Sequence, residues 1–383
     1  MKILWLSHQS PVSFGTTQLR CYQPSEYLAH ANHYTKVQWI YDSNIKLDVD
    51  LVILCRVILD KATARIIARA KAKGIIVVYE SDDLLFELEV ASYFKKIGRS
   101  QHVDFIQPRL DAMLASDCVI VSTDYIADKV KQLGKDVYIL RNGLNNSFLE
   151  SAKKLQRKNS RDDSKEIKLG YFSGSPSHDF DFAILAEPLA IILDKYPNVR
   201  LNIVGELQLQ GKMLSFEDRI TRKCFVPYNK FPEEITKVDI NLIPLELSEM
   251  FCQAKSELKY IEAGACGIPS IASSTDSYRK AINNRSNGLL VESEEEWVSA
   301  LSYLIENADA RLRMGGKAKI DSFENYSPSV RTRQWNNVLE EIMEVYNDVS
   351  KQRKNFVIST IYEAIVHFKF IVKGIQSCLK NKK

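Results

Sequence analysis

Two consecutive Rossmann-like α/β domains, each built on a doubly wound parallel sheet, are the architecture this sequence predicts, on three observations. Short β-branched and leucine-rich runs alternate with helix-period segments, first over residues 1–150 and again over 166–327. Between the two series lies SAKKLQRKNSRDDSK, residues 151–165, densely charged with Leu155 as its one large apolar side chain, which reads as a linker because it cannot bury a core. The chain has 383 residues, 45% of them hydrophobic, enough for two well-buried cores.

In order, KILWLS from Lys2 is a buried first strand, followed by LVILC (51–55), GIIVVYE (74–80), CVIVST (118–123) and VYILRN (137–142). DKATARIIARAKAKG and RLDAMLASD supply helical periodicity between them. The second series reads IKLGYFSG, VRLNIVG, KCFVPY, VDINLIPL and GIPSIAS as strands, with DFAILAEPLAIILDKYP and EEEWVSALSYLIENADARLRMGG as its clearest helices. Residues 328–383 complete the chain as helices crossing back to the first domain. In sheets of this kind ligands bind at the carboxyl ends of the strands, so two such domains place a cleft between them.

Charge is unevenly spread. The net formal charge is +4, yet residues 351–383 hold eight Lys/Arg against Glu363, a net of +7, leaving the preceding 350 residues at −3. Nucleic-acid binding by the body is therefore not indicated. The tail FVISTIYEAIVHFKFIVKGIQSCLKNKK alternates apolar faces with lysines at helical spacing, which suits an anionic membrane surface. It equally suits a terminal helix packed on the first domain. Seven scattered cysteines without a C-x-x-C pair fit a reducing, cytoplasmic compartment. MKILWLSHQSP is too short an apolar run for a signal peptide, and no window has the ~18 apolar residues of a spanning helix.

The most informative stretch is CQAKSELKYIEAGACGIPSIAS, Cys252 to Ser273. It reads as a loop, a short helix capped by Ser256, a stop at Gly267 and Pro269, and a buried strand. Lys255, Lys259 and Glu262 follow at spacings of four and three, which sets them on one helical face. Amides and lysines there suit a diphosphate, and the carboxylate suits sugar or ribose hydroxyls. A solvated surface helix with a Lys/Glu pair has the same pattern.

EAGACGIPSIAS resembles the donor-site signature of family-four retaining glycosyltransferases of GT-B fold, also called glycosyltransferase group 1. That family usually carries a Glu-x7-Glu pair. Here the second glutamate matches Glu262, whereas Ala254 stands at the first position. AKSELKYIEAG is similar instead to a subgroup among bacterial surface-polysaccharide transferases. The resemblance implies a GT-B fold and transfer of a sugar from a nucleotide-sugar donor to a glycan or lipid-linked acceptor. Glu262 then orients the donor, while Lys255 and Lys259 face its diphosphate.

YFSGSPSHDFDF, Tyr171 to Phe182, runs from a strand into a helix, and Gly174 between Ser173 and Ser175 allows close approach of a phosphate. An ordinary turn with serine caps fits equally. The resemblance places this stretch, with His178, beside the donor diphosphate. It also implies that Glu206 and the FVPY stretch, with Val226 and Tyr228, hold the nucleotide base, although Tyr228 also reads as a packing residue. In the first domain Glu80, Asp82 and Asp83 end a strand. Asp82 is a candidate base for the attacking hydroxyl, with helix capping as the plainer reading and an Asp-x-Asp metal site as the less fitting one. SHQSPVSFGTTQLRCYQP resembles an acceptor-side loop, carrying His8, Gly15 and Arg20, with Asp83 on the same side.

The expectation is a glycosyltransferase, retaining in mode, that needs neither metal nor other cofactor. Its partners are a nucleotide-sugar donor, a glycan or lipid-linked acceptor in cell-surface polysaccharide biosynthesis, and the inner face of the membrane touched through the tail. Two other readings stay open, a sugar-nucleotide epimerase of the same fold class and a non-catalytic scaffold, the latter because of Ala254.

Overall fold

The computed structural model describes residues 1–9, 15–155, 166–173, 179–209 and 211–354. The basic tail read from 355 onward, and Gly174, Ser175 and His178, lie outside the described residues.

Among the described residues twelve strands form two six-stranded parallel sheets. The first has the order β2-β1-β3-β4-β5-β6, from β1 (Lys2–Ser7), β2 (Tyr34–Trp39), β3 (Leu51–Cys55), β4 (Ile76–Ser81), β5 (Cys118–Val121) and β6 (Val137–Ile139). Every residue of β3, β4 and β5 is buried, as expected of central parallel strands with helices on both faces. Asp60, Thr123 and Asn145 start the intervening helices by accepting from the backbone N–H of Thr63, Ile126 and Phe148.

The second sheet has the order β12-β11-β10-β7-β8-β9, from β7 (Ile167–Phe172), β8 (Val199–Val204), β9 (Ile220–Lys223), β10 (Ile240–Ile243), β11 (Ser270–Ser273) and β12 (Leu289–Val291). Its direction of winding reverses between β7 and β10, and that of the first sheet between β1 and β3. Each reversal opens a crevice at the strands' carboxyl ends.

Three details differ from the sequence reading. β9 ends at Lys223, so KCFVPY is not a strand: the four residues 224–227 after it form no regular element, and Phe225 is exposed. β2 and β12 were not read, one an edge strand interrupted by Lys36 and Gln38, the other only three residues long. DFAILAEPLAIILDKYP is two helices, Asp179–Ala183 and Ala186–Lys195, rather than one.

The last helix, Pro328–Lys354, returns to the first domain. Trp335, Leu339 and Ile342 are buried there with Trp5 and Leu28, the two indole rings 6.1 Å apart. Among the described residues no helix is long and apolar enough to cross a membrane.

Candidate functional site

The helix Leu258–Ala265 sets the site on the second domain, and glycines set the helix. A Cβ on Gly264 would lie 2.4 Å from Ser322 Oγ and 2.8 Å from the Ala318 carbonyl, so only glycine lets the helix Ala308–Tyr326 approach this closely. Gly267, at φ +75°, ends the helix as expected, and the chain turns into β11.

The start of this helix corrects the sequence reading. Glu257 occupies the cap position and no side chain caps the helix, which begins at Leu258. Ser256 is turned the other way, its Oγ accepting from Asn142 Nδ2 of the first domain at 2.7 Å. Lys255 therefore precedes the helix and does not share its face with Lys259 and Glu262. Its Nζ lies 4.3 Å from the centre of the Phe251 ring and 2.9 Å from Asp83 Oδ1 of the first domain.

The same groups nevertheless converge at the β7/β10 crevice. Lys259 Nζ lies 5.2 Å from the centre of the Tyr171 ring and makes no ion pair with a described residue. Burial lowers its pKa to about 8; Asp181 and Glu262 oppose the shift and Lys255 adds to it. Glu262, expected in an open cleft, is only 6% exposed. Burial raises its pKa to about 8 against the pull of the Tyr228 hydroxyl and Lys259, so at neutral pH it is mostly the neutral acid and can donate as well as accept. Tyr228 packs its ring 5.1 Å from Phe148 of the first domain, and its enclosed hydroxyl acts on Glu262 without closing a hydrogen bond to it.

Asp181, not singled out from the sequence, is 2% exposed, takes a contact from Cys252 Sγ at 3.4 Å and bears on the titration of Lys259, Tyr93 and Tyr171. It is the second aspartate of the His-Asp-x-Asp run, and that spacing was the available signal. Ser173 directly follows β7, buried, its N–H donating to the Val204 carbonyl. Glu206 is exposed beyond β8 and Val226 half-buried beyond β9.

On the first domain the charged candidates are already matched. Arg20, expected at the acceptor surface, is 1% exposed and works as an internal brace. Its Nε bonds Glu80 Oε1 at 2.5 Å, and its Nη1 bonds the Leu140 carbonyl at 2.8 Å and Asn142 Oδ1 at 3.1 Å. Asp82 and Asp83 do not cap a helix; Arg56, itself at φ +51°, spans both. Oδ1 of Asp82, the candidate base, is thus occupied by a guanidinium. Burial works against ionisation of Asp83, but Lys255 and Arg56 outweigh it and hold its carboxyl well below the usual range. His8 follows β1 between the rings of Tyr41 and Phe105, and Gly15 is exposed at φ +96°. Among the described residues no group of three or more His, Cys, Asp or Glu is placed to hold a metal ion.

Residues 168–307 match the family described as Glycosyl transferases group 1. A D-inositol 3-phosphate glycosyltransferase of Corynebacterium jeikeium (strain K411) is 27% identical over 184 residues, which are 43% of this chain and 40% of that protein. The match thus spans well under half of the curated relative. Among solved structures, Anabaena Alr3699/HepE in complex with UDP superposes with TM-score 0.64 at 16% identity, covering 89% of this chain and all of that one. Sucrose-phosphate synthase of Thermosynechococcus elongatus gives 0.63 at 14% identity over 90% and 99%. WaaG, a glycosyltransferase involved in lipopolysaccharide biosynthesis, gives 0.59 at 16% over 88% and 99%. At these identities the superpositions establish the shared two-domain fold.

Proposed function

We propose, for a chain whose residues 168–307 match the group 1 glycosyltransferases and whose fold is GT-B, that it transfers a sugar from a nucleotide-sugar donor to a hydroxyl of a glycan or lipid-linked acceptor, with retention at the sugar carbon. The donor domain is 166–327 and the acceptor domain 1–150. The observation that carries the reading is the meeting of Lys259, Glu262 and Asp181 at the β7/β10 crevice, with Lys255 beside them and the first domain facing them. UDP in the HepE complexes suggests a uridine nucleotide as the first donor to try.

In this reading the nucleoside diphosphate leaves as an anion when the bond to the sugar breaks, and Lys259 and Lys255 stabilise it. Cations fixed where negative charge develops are among the largest contributors to catalysis. Lys255 reaches the diphosphate by exchanging Asp83 for a phosphate oxygen. Glu262, mostly protonated, hydrogen-bonds a donor hydroxyl. No metal is needed to hold the diphosphate, so EDTA leaves the rate unchanged. The pathway is cell-surface glycan biosynthesis, with the basic tail resting on the inner face of the membrane; deleting it abolishes salt-sensitive sedimentation with anionic liposomes.

The deciding experiment is a thermal-shift screen against UDP, dTDP, GDP and their sugars, followed by turnover with a purified acceptor, since a ligand that binds only the folded state raises its stability with concentration. Absence of any nucleotide response would end this reading. Binding without turnover would favour a scaffold.

A further inference from the structure

The crevice of the first sheet lies between the ends of β1 and β3, flanked by His8 and Arg56, and one buried cation there forms no ion pair with a described residue. Arg109, on the helix Ile106–Ala115, is 6% exposed. Its Nε and Nη1 are fully enclosed without a hydrogen bond, and it forms no salt bridge with a described residue. An arginine taken out of water is ordinarily paired, because an uncompensated buried charge costs several kcal/mol. Apart from the Phe105 ring, 5.6 Å from the guanidinium carbon, only Tyr79 and Asp83 favour its charge, and neither forms an ion pair with it.

Two further donors share this vacancy of partners. His8 Nδ1 and His102 Nδ1 are both enclosed and unpartnered. His8 and Arg109 lie against the same Phe105 ring, 6.4 and 5.6 Å from its centre, and His102 lies 5.5 Å from the Phe94 ring. Burial first, then the charge of Arg109, lowers the pKa of both imidazoles, so both are neutral at neutral pH. The neighbouring carboxylates are committed elsewhere. Asp60 accepts from the Tyr41 hydroxyl and the Thr63 amide, and Asp83 is shared by Arg56 and Lys255. Arg56 is neutralised by Asp82 and Asp83. The rim is aromatic: Trp39 and Tyr41 meet edge to face at 5.1 Å, each 36% exposed, and Trp39 Nε1 donates to the His8 carbonyl.

We propose that this crevice is an oxyanion site on the acceptor side, in which Arg109, with His8 and His102, binds a phosphate or carboxylate carried by the acceptor, beside the Trp39/Tyr41 rim that takes an apolar ring face. The inference rests on the transferase reading for the word acceptor, but not for the anion. A planar guanidinium suits either oxyanion bidentately, and neutral imidazoles add N–H donors.

The test uses the full chain with its donor site filled by the nucleoside diphosphate that stabilises it most. Inorganic phosphate, methyl glucuronide and methyl glucoside are titrated while the imidazole resonances are followed by NMR. Phosphate or the glucuronide should move the signals of His8 and His102 and leave those of His30 and His33 in place, and the neutral glucoside should move none. Which anion acts tells phosphate from carboxylate. Arg109→Met should weaken that anion about 10- to 100-fold, as expected for loss of a charge-assisted pair. It should leave nucleotide affinity unchanged and melt no lower than the wild type, since it removes an unsatisfied buried charge. A structural arginine would instead lower the melting temperature, and in that case the wild-type histidine signals decide. Silent His8 and His102 signals, or an Arg109→Met protein that binds the anion as before, would overturn the proposal. A wild type that binds the anion but no nucleotide would sink the transferase reading and leave the site standing.

Discussion

The two walls of the cleft hold similar residues in opposite states. On the first domain, Arg20 meets Glu80 and Arg56 meets Asp82 and Asp83, so charge is consumed within the fold. On the second, Lys259 and Glu262 form no ion pair with described residues and are both displaced toward pKa 8 by burial. A paired buried charge braces structure, and an unmatched one waits for a ligand. By that criterion the wall of the second domain, proposed to hold the donor, is chemical and most of the first domain's wall is mechanical, with Arg109 as the exception.

The largest expected effect breaks the mechanical wall. Arg20→Met leaves Glu80 buried without its cation and should cost about 3–5 kcal/mol of stability, read as a lower urea midpoint. Pairing it with Glu80→Leu should recover part of the loss. An Arg20→Met protein as stable as wild type would mean that the brace is not structural, and the contrast between the walls would collapse.

Glu262→Ala should lower turnover by more than ~100-fold. Because Glu262 is 6% exposed, its loss also leaves a small cavity, so Glu262→Gln is the cleaner variant for stability. The sign of its pH dependence is set by the raised pKa. The folded state holds the proton more tightly than the unfolded one between the ordinary carboxyl range and about 8, so wild-type stability falls as pH rises through that window. Glutamine carries no such penalty. The Gln variant should therefore gain on the wild type from pH 5 to pH 9 in melting temperature, and parallel curves would show that Glu262 is ionised throughout.

How much of this was legible depends on where the energy lies. The central strands announced themselves because LVILC and IVVYE are buried on both faces and need continuous apolar side chains. The edge strand YTKVQW buries only one of its six residues fully, so its pattern was too weak to read. Ser256 carried the residue type of a cap, yet the interdomain bond from Asn142 outcompeted the local one, which no local pattern reports. Arg20 looked like a surface residue because its partner, Glu80, is sixty positions away. Arg109 and His102 went unremarked for the same reason, since only the fold brings them to His8.

Lys259→Ala should weaken nucleoside diphosphate about 10- to 100-fold and nucleoside hardly at all, for loss of one charge-assisted contact. Equal losses for both ligands, measured by calorimetry, would reduce Lys259 to a packing residue against Tyr171 and make the donor wall as mechanical as the other.

The smallest effect lies where the walls touch. Lys255 and Asp83 are a quarter and a fifth exposed, so their pair is worth on the order of 1 kcal/mol, about fivefold in affinity. If the donor's phosphate must displace Asp83 from Lys255, Asp83→Asn relieves that competition and should tighten nucleoside diphosphate a few-fold. Arg56 stays paired with Asp82 in that variant, which limits the disturbance to Lys255. The second half of the cycle sharpens the point. Lys255→Ala should cost more diphosphate affinity in the Asp83→Asn background than in the wild type, because there the lysine is no longer shared. Additive losses would mean that Lys255 and Asp83 stay paired with the donor bound, so that Lys255 belongs to the mechanical wall and Lys259 alone carries the diphosphate.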